Sequence, residues 1–158
     1  MALFWHAIGR KPPGINNRKM IRKVNVIVVE DNGYYNSLLV KTLKSVRVVS
    51  DPEHRCMVIF HSFTNPAACL QMIRTGSYDT DDLIAYVDYY LGDGITGSHL
   101  VKLLKRHNRR SHIIMLSQSI SVSEKNSLFM IDFFVRKDAH APALCRLYLE
   151  QFIESKIS

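Results

Sequence analysis

Five short apolar runs alternate along this chain with longer segments of helical periodicity, and polar residues follow each run at once. The runs cover residues 24–29, 57–60, 83–87, 112–116 and 133–135. Short apolar runs without interruption are typical of strands that are buried on both faces, as in a parallel sheet. The alternation therefore predicts β-α units repeated five times. This is an α/β fold in which helices cover both faces of a five-stranded parallel sheet.

The predicted helices are less uniform than the strands. They cover residues 34–46, 66–76, 98–107, 121–130 and 141–153. Asn32 is the expected N-cap of the first helix, because its side chain can accept a hydrogen bond from an amide of the first turn. The fourth helix has the weakest signal, since this part of the chain is rich in serine. The last helix is expected to face the core with Leu144, Leu147, Tyr148 and Phe152.

The formal net charge of +7 is unevenly distributed. Six of the 21 basic residues lie at or before Lys23, and no acidic residue precedes Glu30. The rest of the chain has 15 basic and 14 acidic residues, so it is nearly neutral. We therefore expect residues 1–22 to form a basic, disordered tail and residues 23–158 to form one domain. A basic tail could contact nucleic acid, but a solvated leader is the stronger expectation, so nucleic acid is not the expected partner.

The sequence favours a cytoplasmic protein that has no membrane partner. Its apolar runs are much shorter than the roughly 20 residues that span a bilayer. The first ten residues lack the basic-then-apolar order of a signal peptide. The three cysteines, Cys56, Cys69 and Cys145, are odd in number and lie within apparent strands or helices. This arrangement favours free thiols over a disulfide framework.

Side chains that could react or bind a ligand directly follow four of the five strands. Glu30 and Asp31 follow the first strand, Asp88 the third, Ser117 the fourth and Lys137 the fifth. Right-handed crossovers place the carboxyl ends of parallel strands at one edge of the sheet, where open α/β sheets bind their ligands. We therefore expect three carboxylates, one hydroxyl and one ammonium group to converge there.

Such a set needs a counter-charge. Two carboxylates about 5 Å apart at an effective dielectric constant of about 20 repel each other by roughly 3 kcal/mol. Lys137 offsets part of this repulsion, and a divalent cation would offset more. Hard oxygen ligands favour Mg²⁺ over zinc. Asp88 is then a candidate nucleophile for a phosphoryl group. Ser117 and Lys137 could each bond one phosphoryl oxygen.

These strand-end residues resemble those of the receiver domain of two-component response regulators. The resemblance covers residues 24–153, and it also includes Leu91 after the third strand. It implies a flavodoxin-like, doubly wound (βα)5 fold with strand order 2-1-3-4-5. It further implies a domain that switches on phosphorylation and is not an enzyme beyond catalysing its own phosphorylation and dephosphorylation.

The resemblance also implies a role for each site residue. Asp88 would accept a phosphoryl group from a histidine kinase or a histidine phosphotransfer protein. Asp31 would bind Mg²⁺ directly, Glu30 would help through water, and Asp88 and the backbone carbonyl of Tyr90 would complete the metal site. Lys137 would pair with the phosphate.

The switch would involve two further positions. Ser117 would turn toward the phosphate, and the aromatic ring of Phe134 would move inward with it. The resemblance implies a downstream protein target and allows a homodimer through the face formed by the fifth strand and the last two helices.

Two alternatives remain from the sequence. Gly92 and Asp138 stand where the family commonly has proline, so a degenerate receiver that only binds partners is possible. Residues 92–97 match a dinucleotide-binding glycine pattern between a strand and a helix. Such sites also have an acidic residue about 20 positions later that binds the ribose of the nucleotide. This sequence lacks that residue, which weighs against nucleotide binding.

Overall fold

A computed structural model describes residues 21–46, 56–76, 82–92, 94–119 and 130–157. Its core is one sheet of five parallel strands in the order β2-β1-β3-β4-β5. The strands are β1 (Arg22–Val29), β2 (Cys56–Phe63), β3 (Asp82–Asp88), β4 (His112–Ser117) and β5 (Phe133–Arg136). The predicted α/β fold, its flavodoxin-like sheet and its strand order are therefore confirmed.

The register brings the ends of the strands to the same level. Val29 pairs with Val87 at the end of β1, and Asp88 pairs with Leu116 on β4. Residues that directly follow the strands consequently lie along one edge of the sheet, which we call the carboxyl edge. The opposite edge, where the strands begin, is called the amino edge.

Within the described residues, four helices cover the sheet. They are α1 (Gly33–Lys44), α2 (Pro66–Arg74), α3 (Gly97–His107) and α4 (Ala141–Ile157). The Asn32 side chain accepts a hydrogen bond from the backbone of Tyr35 at 2.9 Å, so the predicted N-cap of α1 is confirmed. The predicted helix over 121–130 falls almost entirely outside the described residues. So does the predicted tail, except for its last two residues, Ile21 and Arg22, of which Arg22 begins β1.

Side chains alternate between two hydrophobic clusters, one on each face of the sheet. The cluster beneath α1 and α4 includes Val26, Val28, Ile84 and Tyr86. The cluster beneath α2 and α3 includes Ile27, Val29, Ala85 and Val87. Because both faces of β1 and β3 are buried, these strands carry nearly continuous apolar runs, as the sequence predicted.

The inward face of α4 differs from the predicted one. Leu144 and Leu147 are 37% and 47% exposed, whereas Tyr148 is half-buried and Phe152 is buried, as predicted. The α4 residues in the core cluster are Ala141, Cys145, Leu149, Phe152 and Ile153. This row defines which side of α4 faces the sheet. The Tyr86 hydroxyl also donates a hydrogen bond to the Cys145 carbonyl at 2.8 Å, which ties this side of the helix to β3. Because α4 has apolar residues on several sides, its sequence alone does not determine which side faces the core.

The three cysteines are free, as predicted: Cys69 and Cys145 are buried and Cys56 is partly exposed. Among the described residues, no helix combines the length and apolar character needed to cross a bilayer.

Candidate functional site

Lys137 joins two carboxylates that come from distant parts of the sequence. Its Nζ lies 2.5 Å from Oε2 of Glu30 and 2.8 Å from Oδ2 of Asp88. Glu30 follows β1, Asp88 ends β3, and Lys137 follows β5. The parallel register therefore brings these three side chains together at the carboxyl edge, as the sequence predicted.

Burial governs the electrostatics of this group. Glu30 and Asp88 are buried, and the Lys137 side chain is only 10% exposed. Burial raises the pKa of Glu30 against the opposing effect of Lys137, and the charge of Asp88 raises it further. Burial likewise raises the pKa of Asp88 against the effect of Lys137, with a further increase from Asp31. A single ammonium group therefore leaves the buried carboxylates short of positive charge.

Asp31 adds a third carboxylate at the solvent side of the cluster. Ligand oxygens of Glu30, Asp31 and Asp88 all lie within 4.8 Å of one another. Asp31 is exposed, so a hydrated cation can reach the group from solvent. Clustered carboxylate oxygens with access to water are the ligands that Mg²⁺ prefers. The donor set fits the predicted metal.

Ser117 occupies the end of β4 and is fully buried. Its Oγ accepts a hydrogen bond from the backbone of Ser119 at 3.2 Å. Its carbonyl accepts one from the backbone of Lys137 at 2.9 Å. The second bond ties the ends of β4 and β5 together, so Ser117 and Lys137 are neighbours along the carboxyl edge.

The two remaining predicted site residues lie on β5 and after β3. Phe134 is half-buried and packs against the cluster beneath α2 and α3. Tyr90 has an exposed side chain, and its backbone amide donates a hydrogen bond to the Asp88 carboxylate. This bond favours the ionised form of Asp88.

The glycine pattern over 92–97 has a packing explanation. A Cβ atom on Gly97 would clash with the carbonyl oxygen of Asp88. The Gly97 amide also donates a hydrogen bond to the Tyr89 carbonyl at 2.8 Å. Gly97 thus allows α3 to begin in direct contact with the end of β3. Asp31 lies beside this loop, 3.8 Å from the position of a Cβ on Gly92, and its charge would repel a pyrophosphate.

Sequence reasoning missed two residues that support the site. The amide of Asn36 donates to the carbonyls of Glu30 and Phe63 at 3.3 and 3.2 Å, which anchors α1 to the strand ends. The ring of Tyr35 lies 5.0 Å from Lys137 Nζ, in cation–π contact. Asn36 shares the inward row of α1 with Leu39. A polar residue on an apolar row was therefore a usable signal, whereas Tyr35 gave none.

No protein-family model and no curated protein sequence matches this chain. Solved structures with the same fold do exist. The response regulator DrrB of Thermotoga maritima, an OmpR/PhoB homologue, is 17% identical with a TM-score of 0.61. The match covers 87% of this chain and 54% of DrrB, so the chain spans about half the length of that regulator.

Two further structures match over most of their own length. One is wild-type TrrA of Thermotoga maritima in complex with Mg²⁺-BeF, at 18% identity and a TM-score of 0.62, covering 81% of this chain and 97% of TrrA. The other is the isolated REC domain of RcsB from Salmonella enterica serovar Typhimurium with phosphomimetic BeF₃⁻, at 18% identity and a TM-score of 0.63. That match covers 87% and 93% of the two chains. This chain therefore has the fold of a receiver domain.

Proposed function

We propose that this chain is a phosphoryl-accepting receiver domain of a phosphorelay and that Asp88 is its acceptor. The observation that carries the proposal is the position of Lys137, whose ammonium group bonds both Glu30 and Asp88 at the carboxyl edge. Three carboxylates around one lysine form a site with surplus negative charge, which is unfavourable unless a cation or a reaction uses it.

The proposed reaction is the transfer of a phosphoryl group from a phosphohistidine. An oxygen of the Asp88 carboxylate attacks the phosphorus atom, and an O–P bond forms as the P–N bond of the donor breaks. The imidazole leaves with the electron pair and takes up a proton. Lys137 lies 2.8 Å from Asp88 and can pair with the incoming phosphoryl oxygens. The donor would be a histidine kinase or a histidine phosphotransfer protein.

Mg²⁺ would be held by Glu30, Asp31, Asp88 and the Tyr90 carbonyl. When bound, this ion would neutralise charge on the phosphoryl group. The residues of the chain would do the rest: Asp31 and Glu30 hold their carboxylates beside Asp88, and Lys137 fixes the carboxylate that reacts. The Mg²⁺-BeF complex of TrrA supports this assignment by likeness of fold.

The switch would follow from the added charge. A phosphoryl group brings roughly −1.5 to −2 charges to a site that is already acidic. In the proposal, Ser117 gives up its bond to the Ser119 amide and donates its hydroxyl hydrogen to a phosphoryl oxygen. The Phe134 ring then moves further into the cluster that it already contacts. A conformation stabilised in this way would bind a downstream protein or a second copy of the chain.

Labelling with acetyl phosphate and Mg²⁺ tests the acceptor, with intact-protein and peptide mass spectrometry as the readout. We expect one phosphoryl group, on the peptide that contains Asp88, and none on the Asp88→Asn variant. Asp82→Asn is a matched control, because Asp82 begins the same strand and lies at the amino edge. It should be labelled like the wild type.

Two results would count against the proposal. Equal labelling of Asp88→Asn and the wild type would remove Asp88 from the acceptor role. A folded wild-type protein that stays unlabelled by acetyl phosphate and by phosphoramidate would favour the degenerate receiver, because Gly92 and Asp138 already depart from the family pattern.

A further inference from the structure

A groove between α2 and α3 has an apolar floor and a basic rim. Its floor is formed by Leu70, Ile95 and Leu103, and its rim by Arg74, Lys102 and Arg106. The three floor residues are partly exposed and the three rim residues are exposed. We call this surface the basic groove. It lies on the face of the sheet that α2 and α3 cover, and it shares no residue with the acidic cluster.

The basic groove lies in parts of the sequence that lack acidic residues. No Asp or Glu occurs between Glu53 and Asp79, which includes α2, or between Asp93 and Glu124, which includes α3. The second stretch contains five of the 21 Lys and Arg residues of the chain. The concentration of positive charge here contrasts with the near neutrality of the chain after its first 23 residues.

The rim cations have no carboxylate partner within the part of the chain that the structure describes. Other cations of the domain do have one: Lys105, on the same helix, contacts Asp132 at 3.5 Å. A solvated basic face needs no partner, so the charge alone does not indicate a site. The apolar floor between the cations is the second feature, because a purely solvated face does not need one.

We propose that the basic groove binds an acidic amphipathic helix of a partner protein. Lys102 and Arg106 are four residues apart on α3, so their side chains lie on the same face about 6 Å apart along the axis. Carboxylates at positions i and i+4 of a partner helix would match them. Arg74 on α2 would bond a carboxylate on the opposite side of that helix. Its leucine side chains would cover Leu70 and Leu103.

The composition of the groove favours a protein partner over a nucleic acid. Single-stranded nucleic acids bind on aromatic platforms, and none of the described lining residues is Phe, Tyr or Trp. A duplex backbone is bound by cations without an apolar centre. An apolar centre with a charged rim is instead the usual composition of a protein interface. The inference is independent of the phosphoryl-acceptor proposal, since it involves other residues.

The test uses the full chain and a fluorescein-labelled helical peptide of about 18 residues, with leucines in one stripe and glutamates on both sides of it. A second peptide has the same composition in an order that leaves no apolar stripe. We expect fluorescence anisotropy to show binding of the amphipathic peptide at least about tenfold tighter than that of its rearranged isomer. The difference measures the apolar floor, because both peptides carry the same charge.

The variant Lys102→Glu/Arg106→Glu should weaken binding by at least about tenfold, because two attractive rim charges become repulsive. Lys41→Glu/Lys44→Glu is the matched control: it makes the same change of charge on α1, on the other face of the sheet, and should change binding less than about twofold. Circular dichroism checks that both variants are folded.

Three outcomes would overturn the proposal. Equal binding of the two peptides would reduce the surface to a solvated basic face. An equal loss in the two variants would show that only overall charge matters. Tighter binding of a DNA duplex than of the amphipathic peptide, lost in Lys102→Glu/Arg106→Glu, would assign the surface to nucleic acid.

Discussion

The two edges of the sheet both bring carboxylates and cations together, but in opposite proportions. At the amino edge, Asp82 has two cationic partners, Arg22 at 2.6 Å and Lys156 at 3.4 Å. At the carboxyl edge, Lys137 is shared between Glu30 and Asp88, and Asp31 adds further negative charge. One edge has a surplus of cations, and the other has a surplus of carboxylates.

The carboxyl pKa values reflect this difference. Burial opposes ionisation of Asp82, but its bonds and charge attraction to Arg22 and Lys156 outweigh that effect and lower its pKa. At the carboxyl edge burial prevails, and the pKa values of Glu30 and Asp88 are raised. A balanced group stabilises the fold, whereas a buried acidic group that remains short of cations is the pattern found where ligands bind or reactions occur.

The largest expected effect comes from removing the shared lysine. Lys137→Met leaves Glu30 and Asp88 buried without their cation, and breaking a buried pair in this way costs about 3 kcal/mol. We expect the free energy of unfolding at pH 7, measured with urea, to fall by about that amount. The loss should shrink at acidic pH, where the two carboxyl groups bind protons in the variant.

Lys156→Met is the comparison at the amino edge. Asp82 keeps Arg22 at 2.6 Å, and the Lys156 side chain is partly exposed, so the expected loss is below about 1 kcal/mol. Equal losses in the two lysine variants would contradict the distinction between the edges.

An intermediate effect, opposite in sign at the two edges, is expected from removing a carboxylate charge. Because the pKa of Asp88 is raised in the folded state, the folded protein binds more protons than the unfolded chain, and ionisation of Asp88 lowers stability as the pH rises above its ordinary pKa. Asp88→Asn should therefore raise the free energy of unfolding at pH 7 by about 2 kcal/mol, since it removes part of the carboxylate repulsion. This gain should diminish toward pH 4.

Asp82→Asn should behave in the opposite way. The lowered pKa of Asp82 stabilises the fold above its ordinary pKa, and this contribution is lost as the pH falls through the folded pKa. The variant should be less stable than the wild type at pH 7 by under about 1 kcal/mol. The difference should disappear in strong acid. Urea unfolding at several pH values would reject the comparison if both variants changed stability in the same direction.

Sequence reasoning predicted the fold because the strand signals were strong and their order was informative. Strands buried on both faces gave continuous apolar runs, and parallel pairing then placed Glu30, Asp88 and Lys137 at one edge without any contact having to be guessed. The phase of α4 could not be predicted in the same way. Leu144 and Leu147 are as apolar as the residues that are buried, and only packing against the sheet selects between them.

The supporting contacts of the site were the least predictable part. The position of Tyr35 against Lys137 depends on the angle at which α1 crosses the sheet, and no local sequence pattern records that angle. The supporting role of Asn36 was easier to predict, since a polar residue on an inward apolar row needs a buried partner. The roles implied for Ser117, Phe134 and Tyr90 remain predictions, because each concerns a state of the site with phosphate or metal bound.

The smallest expected effect at the carboxyl edge, and the most specific for it, is stabilisation by Mg²⁺. At a concentration ten times its dissociation constant, an ion that binds only the folded state adds about 1.4 kcal/mol to the free energy of unfolding. We expect urea unfolding to show this gain for the wild type and its loss on chelation with EDTA. Asp31→Asn should reduce the gain, because Asp31 is the cluster carboxylate most open to solvent. In EDTA the same variant should be slightly more stable than the wild type, because the charge of Asp31 repels that of Asp88. Asp138→Asn is the matched control: this exposed carboxylate next to Lys137 caps α4, an asparagine oxygen can keep that cap, and it lies outside the acidic cluster. If Mg²⁺ stabilised Asp31→Asn as much as Asp138→Asn, the ion would be bound elsewhere, and the surplus of carboxylates at this edge would need another explanation.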